Sequence, residues 1–322
     1  MALLIDRIVC GVDFSHASHQ ALQYAVEWAK ACEAQLHLVH VIPMDPHFDL
    51  EAAVVRAFLD EQRQSAQLQL MALSDQLKSD VPEIAAHLAH GTPADELARL
   101  ACQEGGDLLV VGSHGWTGFD RILLGSTAER VLASAPCPVL TVRRPDTNEQ
   151  ASLQLGRRLP RHILVPVDFS DHSQEAVEYA SEMAKQFDIA VTLLHVVEPV
   201  SYSLDFTLTH VDAQKKKTKL AETRLAELAR VFESRGMSAS YQLKSPPVVQ
   251  AILEGVQESK ADVIVMGTHG RRGMARWLLG SMAASVLRQA PVPVLTVRSP
   301  RFSQEHPRKT LHSSRENANK VT

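Results

Sequence analysis

Apolar, β-branched runs alternate with amphipathic stretches along the chain, and the whole alternation occurs twice. Short runs such as residues 108–111 and 263–266 have the composition of buried parallel strands. The stretches between the runs repeat apolar residues at helical spacing. Strands that alternate with helices pair in parallel through crossover connections. The pattern therefore predicts an α/β fold built from two similar halves.

Five strands and four helices are predicted in each half. The first helix has an apolar face in both halves, and Ser18 and Ser173 are predicted to cap it. Those faces comprise Ala21, Leu22, Ala25, Trp28, Ala29 and Cys32, and then Ala176, Val177, Tyr179, Ala180, Met183 and Ala184. The other predicted strands lie near 36–41, 83–89, 139–142, 191–197, 238–243 and 294–297, and the long helices near 52–78 and 211–234.

A glycine motif is repeated with the same spacing in both halves. Gly112-Ser113-His114-Gly115 is followed by nine residues and then by Gly125-Ser126. The second copy, Gly267-Thr268-His269-Gly270, is followed by nine residues and Gly280-Ser281. Each counterpart lies 155 residues later in the chain, and the first strands align at the same offset. A repeat of this length indicates two copies of one domain.

The chemistry of the motif favours a phosphate-bearing ligand. The first glycine follows a buried strand, and the closing Gly-Ser opens an amphipathic stretch typical of a helix N-terminus. Free N–H groups and the positive end of the helix dipole attract phosphate, and glycine lets it approach closely. A single Gly-x-x-Gly more often only shapes a turn. Its duplication here favours a nucleotide site.

These residues resemble the universal stress protein family, and specifically its ATP-binding branch. The resemblance rests on the Gly-2x-Gly-9x-Gly-Ser motif, on an aspartate after each first strand, and on the final strands. Those strands begin Cys137-Pro138-Val139-Leu140 and Val292-Pro293-Val294-Leu295. The resemblance implies two open, doubly wound, five-stranded parallel sheets of strand order 3-2-1-4-5, a fold like that of the adenine nucleotide alpha-hydrolases and flavodoxin. In that order, ligands bind between the carboxyl ends of strands 1 and 4.

The resemblance also implies the site residues and the ligand, which is ATP or a related adenine nucleotide, with or without Mg²⁺. The aspartates would contact adenine or ribose, although capping the next helix is an equally good interpretation of them. The backbone of a valine after each second strand would meet the adenine edge, and the glycines and serines would hold ribose and phosphates. The residues are Asp13, Val41, Gly112, Gly115, Gly125 and Ser126, and then Asp168, Val196, Gly267, Gly270, Gly280 and Ser281.

Several other repeated residues have no assigned role in catalysis. His40 and His195 are predicted to be structural, while His114, His269, Arg121 and Arg276 lie within the phosphate loops. The halves differ at two places near the site. Gly11 corresponds to Pro166, and Gly91-Thr92-Pro93 corresponds to Pro246-Pro247-Val248. Either site could be the weaker one.

The domain organisation follows from the repeat. We expect a first domain over 1–144, a polar linker over 145–160, a second domain over 161–299 and a disordered tail over 300–322. Family resemblance suggests that the two halves pair as an intramolecular pseudo-dimer, and a further homodimer is left open.

Composition narrows the location and the partners. The net charge of −4 gives no long-range attraction for nucleic acid or anionic lipid. No apolar run is long enough to span a membrane, so a cytoplasmic protein is expected. The four cysteines are expected to be buried reduced thiols, and since neither CxxC nor CxxH occurs, no metal ligand is assigned.

The leading hypothesis is a tandem universal stress protein that binds ATP and acts in the stress response by binding rather than turnover. No Walker lysine, HEXXH motif or nucleophile elbow is present. The alternative is a slow ATPase or a nucleotidyl or phosphoryl transfer enzyme that uses the same pocket, with Asp13 or Asp120 near the phosphates. A phospho-receiver domain fits less well, because Asp13 stands without an acidic cluster.

Overall fold

The computed structural model describes residues 5–44, 53–81, 83–113, 124–143, 159–199, 208–269 and 279–298. The chain divides into two compact units, and the boundary lies between Leu159 and Pro160. The linker expected over 145–160 lies outside the described residues except for these two, and the tail expected over 300–322 lies wholly outside them.

Each unit alternates strands with helices in the described part of the chain, as the hydrophobic pattern predicts. The first unit contains β1 (Arg7–Gly11), α1 (His16–Cys32), β2 (Gln35–Pro43), α2 (Ala53–Leu77), β3 (Glu83–Gly91), α3 (Pro93–Gln103), β4 (Leu108–Gly112), α4 (Ser126–Ser134) and β5 (Val139–Val142). The second contains β6 (His162–Pro166), α5 (Asp171–Phe187), β7 (Ala190–Val196), α6 (Leu208–Ser234), β8 (Ala239–Lys244), α7 (Val248–Ser259), β9 (Val263–Gly267), α8 (Ser281–Gln289) and β10 (Val294–Val297).

Both units have the strand order 3-2-1-4-5, so the predicted fold class and topology are confirmed. The order is β3-β2-β1-β4-β5 in the first unit and β8-β7-β6-β9-β10 in the second. The registers match as well, since Val9 pairs with Leu109 in parallel and Leu164 pairs with Ile264. The chain therefore changes direction across the sheet between the first and fourth strands, which leaves a crevice at their carboxyl ends.

Burial of the strands and of one face of each helix forms the core. Residues 108–111 of β4 and 263–266 of β9 are all buried. The predicted apolar face of α1 is buried in full, including Trp28, which is 1% exposed. The corresponding face of α5 is buried except at Tyr179, which is half-buried. Among the helices described, none combines the length and the apolar character needed to cross a membrane.

The predicted caps of α1 and α5 are wrong by three residues. Ser15 and Ser170 have extended backbones and are the N-caps, and their hydroxyl oxygens accept hydrogen bonds from the N–H groups of Ser18 and Ser173. Ser18 and Ser173 occupy the third position of each helix, and their backbone N–H groups donate to the cap residue. The helices begin earlier than their apolar periodicity indicates, because the first turn is polar.

Candidate functional site

A cavity of about 530 Å³ lies at the carboxyl ends of the strands in the second unit. Asp168 follows β6, Val196 ends β7 and Gly267 ends β9, so the sheet topology brings these residues to one edge. Together with the start of α8, they account for every predicted site residue of this unit except Gly270, which lies outside the described residues. The predicted residues that line the cavity are Asp168, Val196, Gly267, Gly280 and Ser281.

The N-terminus of α8 opens into this cavity without a side-chain cap. Its N-cap is Gly280, and the first intrahelical hydrogen bond runs from the Ala284 N–H to the Gly280 carbonyl. The N–H groups of Ser281, Met282 and Ala283 therefore have no acceptor within the helix, and all three residues line the cavity. The positive end of the helix dipole lies at the same place, which suits an anion.

Lys217 of α6 contributes a positive charge to the same cavity wall. Its Nζ donates a hydrogen bond of 2.6 Å to the carbonyl of Glu198, and both residues line the cavity. The corresponding residue in α2 of the first unit is the neutral Gln62. The two units thus offer different electrostatics to a phosphate.

The walls of the two sites also differ where the sequence indicates. Pro166 and Val248 line the cavity of the second unit. Their counterparts in the first unit are Gly11 and Pro93. In the second unit these differences therefore lie in the cavity wall, at the carboxyl edge of the sheet.

The first unit places its corresponding site residues on the same elements. The N–H of Gly125 donates to the Ser113 carbonyl at 2.8 Å, as the N–H of Gly280 donates to the Thr268 carbonyl at 3.0 Å. Gly125 is the N-cap of α4 and, like Gly280, provides no side-chain hydrogen bond. Asp13 follows β1, Gly112 ends β4 and Ser126 begins α4, but Val41 lies within β2, two residues before its end, rather than after the strand as predicted. The remaining predicted positions here, Gly115, His114 and Arg121, lie outside the described residues, as does Arg276 of the second unit.

Gly112 and Gly267 are required by packing against a helix. A Cβ at Gly267 would lie 2.7 Å from the carbonyl oxygen of His172, and one at Gly112 would lie 2.9 Å from the carbonyl carbon of Ala17. Gly280 is similarly confined, since a Cβ would lie 2.8 Å from the Thr268 oxygen, although its φ of −59° is open to any residue. The close approach that demands glycine at 112 and 267 is thus that of α1 and α5.

Asp13 and Asp168 hold the turns that lead into α1 and α5. Oδ1 of each accepts a hydrogen bond of 2.9 Å from the backbone N–H of the serine two residues later, Ser15 or Ser170. The Ser170 hydroxyl donates to the same Asp168 oxygen at 2.5 Å. Asp168 also lines the cavity. The structural role considered for these aspartates is therefore present, and Asp168 combines it with a place in the cavity wall.

A phenylalanine beside each aspartate was missed in the sequence. Phe14 and Phe169 adopt left-handed φ angles of 61° and 63°, which are uncommon for a bulky residue. The ring centroids of Phe14 and His40 are 4.7 Å apart, and those of Phe169 and His195 are also 4.7 Å apart. Strained backbone of this kind is concentrated at functional sites. The repeated Asp-Phe-Ser triplet was the signal available in the sequence.

The histidines near the ends of β2 and β7 are anchored to the residues that directly follow the first strands. Nδ1 of His40 donates to the Val12 carbonyl at 2.7 Å, and Nδ1 of His195 donates to the Val167 carbonyl at 2.6 Å. These bonds tie the second strand to the start of the turn after the first strand, beside the crevice. In the glycine motif of the second unit, Nδ1 of His269 lies 3.1 Å from the Thr268 hydroxyl, and His269 lines the cavity.

The four cysteines, all within the described residues, are thiols rather than disulfides. Cys10, Cys32 and Cys137 are buried, and Cys102 is half-buried. Burial raises the pKa of the Cys10 and Cys32 thiols to about 12. Since the thiolate is the reactive form, these buried residues are unsuited to nucleophilic chemistry.

This chain resembles known proteins of one family. The model of the universal stress protein family matches residues 5–143 and 160–298. A universal stress protein of Mycolicibacterium smegmatis is 26% identical over 306 residues, which cover 90% of this chain and 96% of the relative. One from Methanocaldococcus jannaschii is 34% identical over 146 residues, 44% of this chain and 84% of the relative.

A solved structure shares the fold over nearly the whole chain. It is that of a universal stress protein from Archaeoglobus fulgidus, which is 22% identical and has a TM-score of 0.67. The match covers 91% of this chain and 98% of that one. With the family model matched in both units, the chain belongs to the universal stress protein family and carries two copies of its domain in tandem.

Proposed function

We propose that this protein binds ATP, or a related adenine nucleotide, in its strand-end crevices and acts in the stress response by binding rather than turnover. The observation that carries the proposal is the cavity of the second unit. The cavity brings together the uncapped helix N-terminus that the glycine motif predicts and the acidic side chain and strand-end backbone that the family resemblance implies. Its volume of about 530 Å³ falls in the range of small-molecule sites, about 300–1,000 Å³.

Each part of the cavity suits one part of a nucleotide. The N-terminus of α8 and the Lys217 ammonium favour the phosphate chain, whose negative charges they attract. Asp168 is an acceptor for hydroxyl or amino groups of ribose and adenine. We assign the base to the backbone of Val196, which ends β7 and lines the cavity. Mg²⁺ would accompany the phosphates in the bound nucleotide.

A cytoplasmic location is part of the same proposal. The reduced state of all four cysteines, which lie within the described residues, suits a reducing compartment.

The test removes one N–H from each helix N-terminus without disturbing the helix. Proline is tolerated at the first helical position and lacks the N–H, and the preceding residue must then be extended. Both preceding residues are already extended, since Gly125 has a φ of −62° and a ψ of 143° and Gly280 has a φ of −59° and a ψ of 141°. Ser126→Pro and Ser281→Pro should therefore fold. Losing one hydrogen bond to a charged phosphate costs about 1.5–3 kcal/mol, which is a tenfold or greater loss of affinity.

Calorimetric titration with Mg-ATP compares the wild type with both proline variants and with Ser281→Ala, which retains the N–H. Binding weakened by Ser281→Pro but much less by Ser281→Ala would support phosphate contact at α8, and the Ser126→Pro result would do so for the first unit. A wild type that does not bind, or binding that neither proline variant changes, would contradict the proposal. Steady phosphate release in the same samples would show turnover instead.

A further inference from the structure

Two histidines and a glutamate from three separate elements meet in the first unit. His37 lies on β2, His87 lies on the neighbouring β3, and Glu104 follows the last residue of α3. His87 on β3 pairs with Val39 on β2, and His37 lies two residues before Val39 on the same strand. Residues two apart on a strand share a face, and α3 packs against both strands. The three side chains therefore meet between the sheet and the C-terminal end of α3.

The distances between their polar atoms are those of a potential metal site. His37 Nδ1 lies 2.9 Å from His87 Nε2 and 3.9 Å from a carboxylate oxygen of Glu104. One ligand atom from each residue lies within 4.8 Å of the other two. A tetrahedral ion with bonds of about 2.0–2.2 Å holds its ligand atoms about 3.3–3.6 Å apart. The half-buried His87 and Glu104 side chains can make up the difference by small rotations.

His37 is the most deeply buried member of the cluster. Its side chain is 3% exposed, whereas that of Glu104 is 36% exposed. Its Nδ1 lies towards His87 Nε2 and the Glu104 carboxylate, so this nitrogen is the ligand atom that the site would use.

The surrounding charges favour a cation. The carboxylates of Glu104 and Glu83 and the guanidinium of Arg7 interact electrostatically with the His37 ring, and the guanidinium has the opposite sign to the carboxylates. The Arg7 Nη1 donates to the backbone carbonyl of Glu104 at 2.8 Å. Two carboxylates against one guanidinium leave a net negative charge beside two imidazoles.

The second unit has the same fold but lacks the two histidines and the glutamate of this cluster. The residues 155 positions later are Thr192, Gln242 and Ser259. There the Thr192 hydroxyl is hydrogen-bonded to His162 Nε2 at 2.7 Å and to the Ser240 hydroxyl at 2.9 Å. The fold therefore does not need a histidine pair at this place. The three ionisable groups are a feature of the first unit alone.

We propose that His37, His87 and Glu104 bind a divalent transition metal ion such as Zn²⁺. Two imidazoles and one carboxylate suit such ions rather than Mg²⁺ or Ca²⁺, which prefer oxygen ligands. The fourth position is left to water, because Glu104 is 36% exposed. The site is separate from the nucleotide crevice. His37 is four residues before Val41, about 13 Å along the strand.

The test is a titration of chelator-treated, full-length protein with Zn²⁺ alone, without nucleotide. We expect one ion per chain bound well above the affinity of the surface histidines. His37→Thr, His87→Gln and Glu104→Ser introduce the residues of the second unit and should each weaken binding at least tenfold, because each removes a ligand. Their thermal unfolding without metal should stay close to that of the wild type.

The control is His19→Gln, which removes an exposed histidine on α1. It should leave the stoichiometry and affinity unchanged. Titration with Co²⁺ should produce visible absorption bands in the wild type and in His19→Gln that are absent in His37→Thr. Absence of Zn²⁺ binding by the wild type, or binding that persists unchanged in all three ligand variants, would overturn the proposal.

Discussion

At Gly112 the absence of a side chain matters because the end of β4 lies against the backbone of α1. The sequence motif suggests that glycine makes room for phosphate, but the structure places Ala17 where a Cβ would be. The same holds at Gly267, where His172 of α5 occupies that position. The motif glycine therefore sets how closely the first helix approaches the fourth strand, and that distance shapes the crevice.

Gly112→Ala should lower the free energy of unfolding by about 1–3 kcal/mol, the usual range for overpacking. The new Cβ would lie 2.9 Å from the carbonyl carbon of Ala17, and helix backbone cannot move aside cheaply. Urea denaturation measures the loss. Gly11→Ala is the control, because its Cβ would meet the end of the Leu97 side chain at 3.1 Å, which can rotate. Equal losses in the two variants would contradict this account.

Among the elements, α1 shows where periodicity predicts well and where it fails. Its buried face from Ala21 to Cys32 follows from apolar spacing alone. Its start does not, because the N-cap depends on the turn that precedes it. Asp13 accepts the Ser15 N–H and Phe14 takes a left-handed φ, which sets Ser15 in the extended conformation of a cap. No local apolar pattern encodes that turn.

Ser15→Ala should destabilise the protein by about 1 kcal/mol, the usual cost of losing an N-cap side chain. Its hydroxyl oxygen accepts the Ser18 N–H at 3.2 Å, and alanine leaves that group unpaired. Thermal or urea denaturation measures the change. Ser134→Ala, at an exposed serine of α4, should stay within about 0.5 kcal/mol of the wild type. A Ser15 variant as stable as this control would argue against the assigned cap.

For the whole molecule, the duplication separates what the fold needs from what each copy has acquired. Both units keep the strand order, the crevice and the uncapped helix N-terminus. Only the second has Lys217 at the cavity wall, and only the first has the His37, His87 and Glu104 cluster. Substitutions between the units are therefore natural controls, because each residue is already accommodated by the same fold.

The stability of the second unit should fall as the solution becomes acidic. Burial lowers the pKa of His162, with partial opposition from Asp262, relative to the ordinary value of about 6.5. As the pH falls below about 6.5, His162 takes up a proton in the unfolded chain before it does so in the folded chain. The free energy of unfolding therefore decreases between about pH 6.5 and the lower pKa of the folded protein. Urea midpoints between pH 8 and pH 5 measure this. His162→Gln should reduce the slope, and an unchanged slope would refute the assignment.

The strand order and the second site illustrate how far the sequence reaches. Apolar runs of strand length, helical spacing and the repeat at 155 residues predicted the elements, and resemblance supplied the order 3-2-1-4-5 that both units adopt. Five predicted residues of the second half line one cavity, because parallel strands end at the same edge. These features depend on local pattern and on topology.

By itself, then, the sequence determined the duplication and the α/β class, because hydrophobic periodicity and motif spacing depend on residues that are close in the chain. Resemblance to the family supplied the strand order, and with it the position of the crevice. Only the tertiary structure decided the packing role of Gly112, the left-handed turn at Phe14 and the meeting of His37 with His87 and Glu104. Those three ligands come from β2, β3 and the end of α3 and share no local motif. Their proximity results from strand register and helix packing, which only the folded chain specifies.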